Sequence, residues 1–391
     1  MKEMAKKILV VDDEPDLRPL VMQRMRRDIR RGKYEFHFAG NGIEAIDVLS
    51  EISDIDMIIT DINMPGMDGL ALLEKIPDVN PNTRAIVVSA YGDMNNIRTA
   101  MNRGAFDFVT KPIDFGDLRV TIERTLRNLQ EWREAMSSRD KLTALESELD
   151  VANQIQQSIL PTEFPKHEGF RIFGSMEPAK EVGGDFFDLV LLEDRCVGLS
   201  VADVSDKGVP AALFMMSSRT MMKGAAISAR DPGEVLGIVN SMLAEDNDPQ
   251  MFVTVLYAVY DPENGQFTYA SGGHDAPLVV HEDGSSELLD LTSGLVLGIV
   301  PDIEFEQNSV TLNPGDTVIC YTDGVTEAMN SEGEQFGIKR LMQTFVDHPP
   351  INAQDAVEKI FNAVSSFADG TVQSDDITCL TLSRDVLTPD E

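Results

Sequence analysis

The chain has 391 residues, 42% of them hydrophobic, which is enough for two packed domains and a connector. Its 66 acidic and 33 basic side chains give a net charge of −33. This charge argues against nucleic acid or an anionic membrane as a partner, because both are polyanions. The three cysteines show no Cys-x-x-Cys pairing, and no signal peptide or membrane-spanning apolar run is visible. We therefore expect a soluble, cytoplasmic protein.

The N-terminal part alternates short apolar runs with helical stretches, as in a parallel sheet covered by helices on both faces. The runs at residues 7–11, 57–60, 85–88 and 106–110 are each followed by a polar residue. In such a sheet, ligands bind outside the carboxyl ends of the strands. The polar residues that should converge on this edge are Asp12, Asp13, Asp61, Ser89 and Lys111.

Crowded carboxylates at this edge repel one another and can hold Mg²⁺, which lets one of them accept a phosphoryl group. The segments Asp61-Ile-Asn-Met-Pro-Gly-Met-Asp-Gly69 and Lys111-Pro112 resemble the CheY-like receiver domain of response regulators. The resemblance implies a flavodoxin-like, doubly wound α/β fold and a sensor histidine kinase as phosphodonor. It implies that Asp61 is the phosphoacceptor. The metal ligands that it implies are Asp12, Asp13, Asp61 and the Asn63 carbonyl, and the switch residues are Ser89, Phe108 and Lys111.

Residues 117–160 contain no glycine, and proline appears only at Pro161, which predicts a helical linker. Two apolar stripes follow coiled-coil spacing and are out of phase by one residue. The break falls at residues 137–140, where we expect a hinge or a change of helix direction. A homodimer seam and a single helix packed on its own domains both remain open. The stripes are Leu118, Ile122, Thr125, Leu129, Trp132 and Met136, then Leu142, Leu145, Leu149, Ala152, Gln156 and Ile159.

The C-terminal part alternates short strands with Gly, Pro and Asp turns, and four of its turns carry aspartates. Single Asp-Gly turns are common, so the order of all four is the informative feature. Separated carboxylates in oxygen-rich turns, without a usable His or Cys set, indicate Mg²⁺ or Mn²⁺ rather than Zn²⁺. The four segments are Glu181-Val-Gly-Gly-Asp185, Asp203-Val-Ser-Asp-Lys-Gly208, Thr322-Asp323-Gly324 and Ser374-Asp375-Asp376.

These turns resemble the metal-dependent protein phosphatase (PPM) family, in its bacterial SpoIIE/RsbU branch. The resemblance covers about residues 154–382, and further blocks that carry it are residues 154–161, 209–215, 251–256, 271–278 and 294–298. It implies an α-β-β-α sandwich that uses two Mn²⁺ or Mg²⁺ ions to hydrolyse phosphoserine and phosphothreonine in proteins.

The resemblance also implies roles for single residues. Asp203 would bridge both ions, Asp185 and the Val204 carbonyl would join the second, and Asp323 and Asp375 would complete the first. Asp376 is the rival of Asp375, because sequence does not separate adjacent carboxylates.

Other polar residues keep two interpretations. Lys180 could contact the phosphate, or it could be an ordinary surface lysine. Ser205 stands where animal members of the wider family carry a histidine proposed as general acid, so that role is unassigned. His274 could substitute, but a structural histidine is favoured, and we expect Asp188 and Asp206 to be solvated or to support the ligands.

The resulting interpretation is a receiver at residues 1–122, a helical, probable coiled-coil linker at 123–160 and a phosphatase at 161–391. Phosphorylation at Asp61 would control the phosphatase, and the sequence leaves both activation and inhibition open. By resemblance, the substrate is a phosphorylated anti-sigma-factor antagonist of the STAS type. The alternative is a non-catalytic adaptor that binds a sigma-factor-pathway partner through a phosphatase-like fold.

Overall fold

The computed structural model describes residues 5–245, 247, 250–292 and 294–386, and the chain divides into two compact units at residues 145 and 146. Helix α6 (Phe115–Ile159) runs through this division as one helix of 45 residues. The expected break at residues 137–140 therefore does not interrupt it. A one-residue phase change moves the apolar face, but the backbone bonds continue, because the segment lacks proline and glycine. The predicted domain boundaries remain a prediction.

The first unit is built on a parallel sheet. Its strands are β1 (Lys6–Val11), β2 (Tyr34–Ala39), β3 (Met57–Asp61), β4 (Arg84–Ala90) and β5 (Asp107–Lys111), and its helices before α6 are α1 (Leu17–Arg24), α2 (Arg26–Arg30), α3 (Gly42–Glu51), α4 (Gly69–Val79) and α5 (Met94–Asn102). The strand order β2-β1-β3-β4-β5 confirms the flavodoxin-like fold. Sequence analysis missed strand β2, because its edge position admits the polar residues Glu35 and His37.

The first apolar stripe of α6 packs within the first unit. Leu118 and Ile122 belong to the same buried cluster as Val88 and Val109 of the sheet. Further along the helix, Arg133 donates hydrogen bonds to the Asp56 carboxylate at 2.6 Å and to a backbone carbonyl. Of the two interpretations of this stripe, the structure matches a helix packed on its own domain. Three-four spacing fits this outcome, because it describes any helix with one buried face.

Two facing antiparallel sheets form the second unit. Its strands are β6 (Phe170–Glu177), β7 (Phe186–Leu191), β8 (Val197–Val204), β9 (Val253–Asp261), β10 (Gln266–Gly272), β11 (Leu278–Val280), β12 (Ser286–Leu288), β13 (Gln307–Thr311), β14 (Thr317–Tyr321) and β15 (Ile377–Arg384). Its helices after α6 are α7 (Val209–Ser228), α8 (Pro232–Glu245), α9 (Asp323–Thr326), α10 (Gly337–Val346) and α11 (Ala353–Ala368), and a 3₁₀ helix spans Glu193–Arg195.

The sheet orders are β13-β10-β9-β8-β7 and β12-β11-β14-β15-β6. Helices α7 and α8 cover the first sheet, and α10 and α11 cover the second. The predicted α-β-β-α sandwich is therefore confirmed. Buried aromatic side chains such as Phe170, Phe186 and Tyr260 fill the main core, and Ile319, Phe345 and others fill a second core under α10 and α11.

The second apolar stripe of α6 has two parts. Leu142 and Leu145 are exposed, whereas Gln156 is only 2% exposed and Ile159 packs against the main core of the second unit. The last residues of the predicted seam therefore pack against the second unit of the same chain. Only the exposed part is free, within the described residues, to pair with a second copy.

Candidate functional site

Four aspartates lie at one end of the sandwich. Asp185 immediately precedes β7, and Asp203 lies near the end of the antiparallel neighbour β8. Asp323 follows β14, and Asp375 comes just before its neighbour β15. Adjacent antiparallel strands bring the end of one beside the start of the next, so each sheet supplies one pair. The four separate turns of the sequence thus meet across the two sheets.

The close approach of two of these turns requires a glycine. A Cβ atom at Gly324 would lie 1.9 Å from the carbonyl oxygen of Asp376, far inside the contact distance of any side chain. This glycine follows Asp323 directly, so it sets the turn that carries the carboxylate against the start of β15.

Asp185 is buried, with 1% of its surface exposed, and is held from the opposite sheet. Its Oδ2 atom accepts hydrogen bonds from Thr322 Oγ1 at 2.6 Å and from Thr378 Oγ1 at 2.7 Å. Burial, followed by the charges of Asp203 and Asp376, raises the pKa of Asp185 well above its usual value. Both threonines therefore fix the same carboxylate oxygen, Oδ2.

Asp203 is the central member of the group. Burial and the charge of Asp323 raise the pKa of Asp203 to about 7, against the effect of a hydrogen bond with Asp185. Burial and the charge of Asp375 raise the pKa of Asp323 to about 6. The four carboxylates therefore form one group, in which Asp203 is an electrostatic neighbour of Asp185, Asp323 and Asp375. Ionised carboxylates at such spacing need added positive charge.

The two adjacent aspartates before β15 differ sharply. Asp376 is buried and accepts backbone hydrogen bonds, through Oδ1 from Ala179 at 2.8 Å and through Oδ2 from Gly184 at 2.6 Å and Asp185 at 3.3 Å. The Asp375 side chain is 28% exposed and faces Lys207 at 2.8 Å. Since both carboxylate oxygens of Asp376 already accept backbone hydrogen bonds, the geometry favours Asp375 as the metal ligand.

The cationic side chain at these carboxylates is not the one that the sequence suggested. Lys180 is exposed. Lys207 forms the ion pair with Asp375, donates a hydrogen bond to the Ser374 carbonyl at 2.5 Å and lowers the pKa of Asp323. Lys207 is therefore better placed to meet an anionic substrate.

His274 is buried, and its environment fits a structural histidine. Its Nδ1 atom lies 2.9 Å from Thr254 Oγ1, and its backbone N–H donates to Ser271 Oγ. Burial lowers the pKa of His274 to about 4, so the ring is neutral near pH 7 and carries no proton to donate as an imidazolium.

The two remaining aspartates of the region also separate. Asp188 is not solvated but buried, and it pairs with Arg219 of α7 at 3.1 Å. Asp206 is exposed and has a positive φ of 67° in the turn before α7. Neither side chain lies among the electrostatic neighbours of the four central aspartates.

A second group of carboxylates lies at the edge of the parallel sheet in the first unit. Within the described residues, Asp12, Asp13 and Asp61 are the one group whose ligand atoms all lie within 4.8 Å of one another. Lys111 Nζ lies 3.1 Å from Asp61 Oδ2 and 3.3 Å from Asp12 Oδ2. It also contacts Glu14 at 2.9 Å, a partner that sequence analysis missed. These contacts outweigh partial burial and raise the pKa of Lys111.

The other receiver residues take distinct positions. Ser89 is buried at the end of β4, Phe108 on β5 is 38% exposed, and Asn63 is exposed in the turn after Asp61. The peptide bond between Lys111 and Pro112 is cis. The sheet thus brings Asp12, Asp13, Asp61 and Lys111 into one site, as the strand order predicted.

Both groups fit divalent cations by their donor chemistry, because each offers several carboxylate oxygens and no His or Cys ligand. The first unit can offer three oxygens to one ion. Among the described residues, Asp185, Asp203, Asp323 and Asp375 do not form such a tight trio.

Comparison with known proteins gives two family matches. The model for Stage II sporulation protein E (SpoIIE) matches residues 193–385, and the response regulator receiver domain matches residues 8–123. Phosphoserine phosphatase RsbU of Bacillus subtilis is 31% identical over 275 residues, which cover 70% of this chain and 80% of that protein. The chain belongs to the SpoIIE-type PPM serine/threonine phosphatases, joined to a response-regulator receiver.

One further match is found for each half of this receiver-linked SpoIIE-type phosphatase. Sporulation initiation phosphotransferase F of Bacillus subtilis is 30% identical over 123 residues, 32% of this chain and 95% of that protein. The solved SiaA-PP2C domain of Pseudomonas aeruginosa superposes with a TM-score of 0.55 at 25% identity, covering 63% of this chain and 99% of that domain. In the described part of the chain, no helix is long and apolar enough to cross a membrane.

Sequence analysis missed several residues that support the SpoIIE-type site. Thr322 precedes the predicted ligand Asp323, and Thr378 lies three residues after Asp375. Their positions in the sequence could therefore have indicated a role beside the ligands. Lys207 lies in the same turn as Asp203 but was not singled out. Gln156 lies in the block 154–161 that carries the family resemblance, but the sequence alone gave it no role in the site.

Proposed function

We propose that this protein is a response regulator in which phosphorylation of Asp61 controls dephosphorylation of a phosphoserine or phosphothreonine protein. The observation that carries the proposal is the group of carboxylates that Asp185, Asp323 and Asp375 form around Asp203, on a fold whose relative RsbU is a phosphoserine phosphatase. A non-catalytic adaptor would not need four mutually repelling carboxylates held together.

Two divalent cations are proposed for the phosphatase site. Asp185 and the Val204 carbonyl would hold one, Asp323 and Asp375 the other, and Asp203 both. When bound, such ions activate a water, clamp phosphate oxygens and stabilise in-line attack on phosphorus. The PPM family is generally dependent on Mg²⁺ or Mn²⁺, and the choice between them is left to experiment.

The chain's own residues perform the positioning. Thr322 and Thr378 hold one oxygen of Asp185, so the other oxygen points in a fixed direction. Lys207 is held at the rim by Asp375, where its ammonium can exchange an aspartate oxygen for a phosphate oxygen of the substrate. Lys207, rather than Lys180, is therefore proposed as the phosphate-contacting lysine.

The receiver site is proposed to work through a single Mg²⁺ ion held by Asp12, Asp13, Asp61 and the Asn63 carbonyl. Lys111 contacts Asp61 directly and can hold an oxygen of the new phosphoryl group. Ser89 and Phe108 would respond to that group as the switch pair. The proposed phosphodonor is a sensor histidine kinase, as the receiver resemblance implies.

The proposed substrate is a phosphorylated STAS-type anti-sigma-factor antagonist, as the SpoIIE/RsbU resemblance implies. Its dephosphorylation would let it capture an anti-sigma kinase and free a sigma factor. A homodimer through the exposed part of α6 is also proposed, with Leu142 and Leu145 as contact residues.

The most direct experiment measures hydrolysis of a generic aryl phosphate with and without Mn²⁺, before and after treatment with a small phosphodonor. We expect turnover only with the metal, and a change in turnover after phosphorylation. Metal-bound protein without turnover on either an aryl phosphate or a phosphorylated STAS protein would favour the adaptor.

Coupling between the sites is proposed to run through α6, which is one continuous helix. Deleting residues 137–140 should remove the response to phosphodonor and leave basal turnover and Asp61 phosphorylation intact. A deletion of residues 134–140 is the matched control, since seven residues preserve the heptad phase and four do not, and both deletions keep Leu142 and Leu145. A full response in the four-residue deletion would mean that the signal does not travel along the helix.

A further inference from the structure

We propose that Gln156 of helix α6 is a positioning residue for the metal-binding loop, because it fixes the peptide groups of Gly183 just before Asp185. This inference rests on the proposed two-metal function of the site. It gives the end of α6 a specific role that its place in an apolar stripe did not suggest.

The contact is a reciprocal pair of hydrogen bonds. The Gln156 Oε1 atom accepts from the Gly183 backbone N–H at 2.9 Å, and Nε2 donates to the Gly183 carbonyl at 2.7 Å. Gln156 is 2% exposed, so both bonds are shielded from water. A primary amide is the side-chain group that can donate and accept in this way without carrying a charge.

Position 183 has no room for a side chain, so the backbone there can pack closely against its neighbours. A Cβ atom there would lie 2.4 Å from Met176 Cε and 2.6 Å from Asp376 Oδ2. The next two backbone N–H groups, those of Gly184 and Asp185, both donate to Asp376. Successive peptide groups are thus held by two side chains, Gln156 of α6 and Asp376 just before β15.

The carboxylate at the end of this segment is fixed independently by Thr322 and Thr378. Asp185 can satisfy those hydroxyls and face an ion only if its backbone stays in place. Release of Gly183 would let the backbone move while the threonines still hold Oδ2, which turns Oδ1 away from its ligand direction. The expected defect therefore concerns the ion that Asp185 serves, not the ion at Asp323 and Asp375.

The experiment measures Mn²⁺ binding calorimetrically in the full chain, in an Asp13→Ala background that weakens the receiver's own metal site. Gln156→Met keeps the length of the side chain and removes both hydrogen bonds. Gln156→Glu keeps the shape but replaces the donor by a second acceptor facing the Gly183 carbonyl. Gln154→Glu, on an exposed position of the same helix, is the matched control.

We expect one of the two Mn²⁺ ions to bind roughly 10–100-fold more weakly in both Gln156 variants, as is typical when a partner behind a metal ligand is lost. The other ion should keep its affinity, and the Gln154 variant should bind both like the parent. Aryl phosphate turnover should recover at high Mn²⁺, since the ligands themselves are unchanged.

Two outcomes would overturn the inference in distinguishable ways. Unchanged affinity for both ions, together with a lower thermal unfolding midpoint in either folded variant, would make Gln156 merely a packing residue. Failure of the Asp13→Ala parent itself to bind two Mn²⁺ ions would instead remove the proposed metal function, and the inference with it.

Discussion

The two acidic sites of this protein use the same residue type in opposite environments. In the receiver, Lys111 contacts both Asp61 and Asp12, so the chain supplies its own counter-charge. In the phosphatase, Asp185 accepts hydrogen bonds from two neutral hydroxyls and lies beside the charges of Asp203 and Asp376, while Lys207 forms its ion pair with Asp375 at the rim. Burial and mutual repulsion raise the pKa of Asp203 and Asp323 there.

This difference separates a nucleophile from a set of ligands. A carboxylate that is to accept a phosphoryl group needs a cation nearby that can hold the oxygens of that group, and Lys111 lies beside Asp61. Carboxylates that are to hold resident cations can be left short of positive charge, because the ions supply it. The receiver site therefore fits the proposed phosphoryl transfer to Asp61, and the phosphatase site fits the proposed resident ions.

The largest effect is expected from Asp203→Asn. The change keeps the volume and removes the charge that is proposed to serve both ions. Turnover on an aryl phosphate in Mn²⁺ should fall by more than about 100-fold, since loss of a partner behind a ligand already costs 10–100-fold. Circular dichroism should show an unchanged fold. Activity near that of the wild type would refute the two-ion assignment and remove the contrast between the sites.

Asp61→Ala should abolish phosphorylation by acetyl or carbamoyl phosphate, because the acceptor carboxylate is gone. Intact-mass measurement should show no phosphoryl addition, and turnover should no longer respond to phosphodonor. Asp13→Ala is a useful companion, since it should slow labelling without removing the acceptor. Labelling that persists in Asp61→Ala would place the acceptor elsewhere.

Lys207→Gln and Lys180→Gln form a matched pair that tests which lysine meets the phosphate. At saturating Mn²⁺, Lys207→Gln should raise KM for an aryl phosphate about tenfold, the equivalent of ~1.4 kcal/mol from a charge-assisted contact. Lys180→Gln should change KM less than about twofold, as expected for an exposed side chain. The reverse pattern would restore Lys180 as the phosphate contact.

The smallest effect concerns stability without metal. In the folded protein, the pKa of Asp203 is raised to about 7 and that of Asp323 to about 6. Folding therefore favours the protonated form of both carboxyl groups. Their contribution to stability is present at acid pH and is lost as the pH rises through these values.

Chelated protein should therefore unfold at a lower temperature at pH 8 than at pH 5, by at least about 2–4 °C, the shift that 1 kcal/mol produces in a domain of this size. Mn²⁺ should reverse the loss at pH 8, and chelated Asp203→Asn should show a flatter pH dependence. A midpoint that rises with pH in chelated wild type would contradict the burial of these carboxylates.

The sequence by itself determined the fold classes and the chemistry of the carboxylates. Apolar runs that end in Asp12 and Asp61 predict parallel strands, because only a doubly covered sheet buries such runs on both faces. Aspartates beside glycines in four ordered turns predicted oxygen ligation, and the strand ends do bring Asp185, Asp203, Asp323 and Asp375 together. Local pattern was enough here, since strand direction fixes where each turn must lie.

Tertiary structure alone decided the partners of individual side chains. The choice between Asp375 and Asp376 depends on which carboxylate finds backbone N–H groups, and those of Ala179 and Gly184 come from a segment distant in sequence. The stripe of α6 could not reveal that Leu118 packs on the receiver sheet or that Gln156 binds Gly183. Spacing defines the buried face of a helix, but what covers that face depends on chain segments distant in sequence.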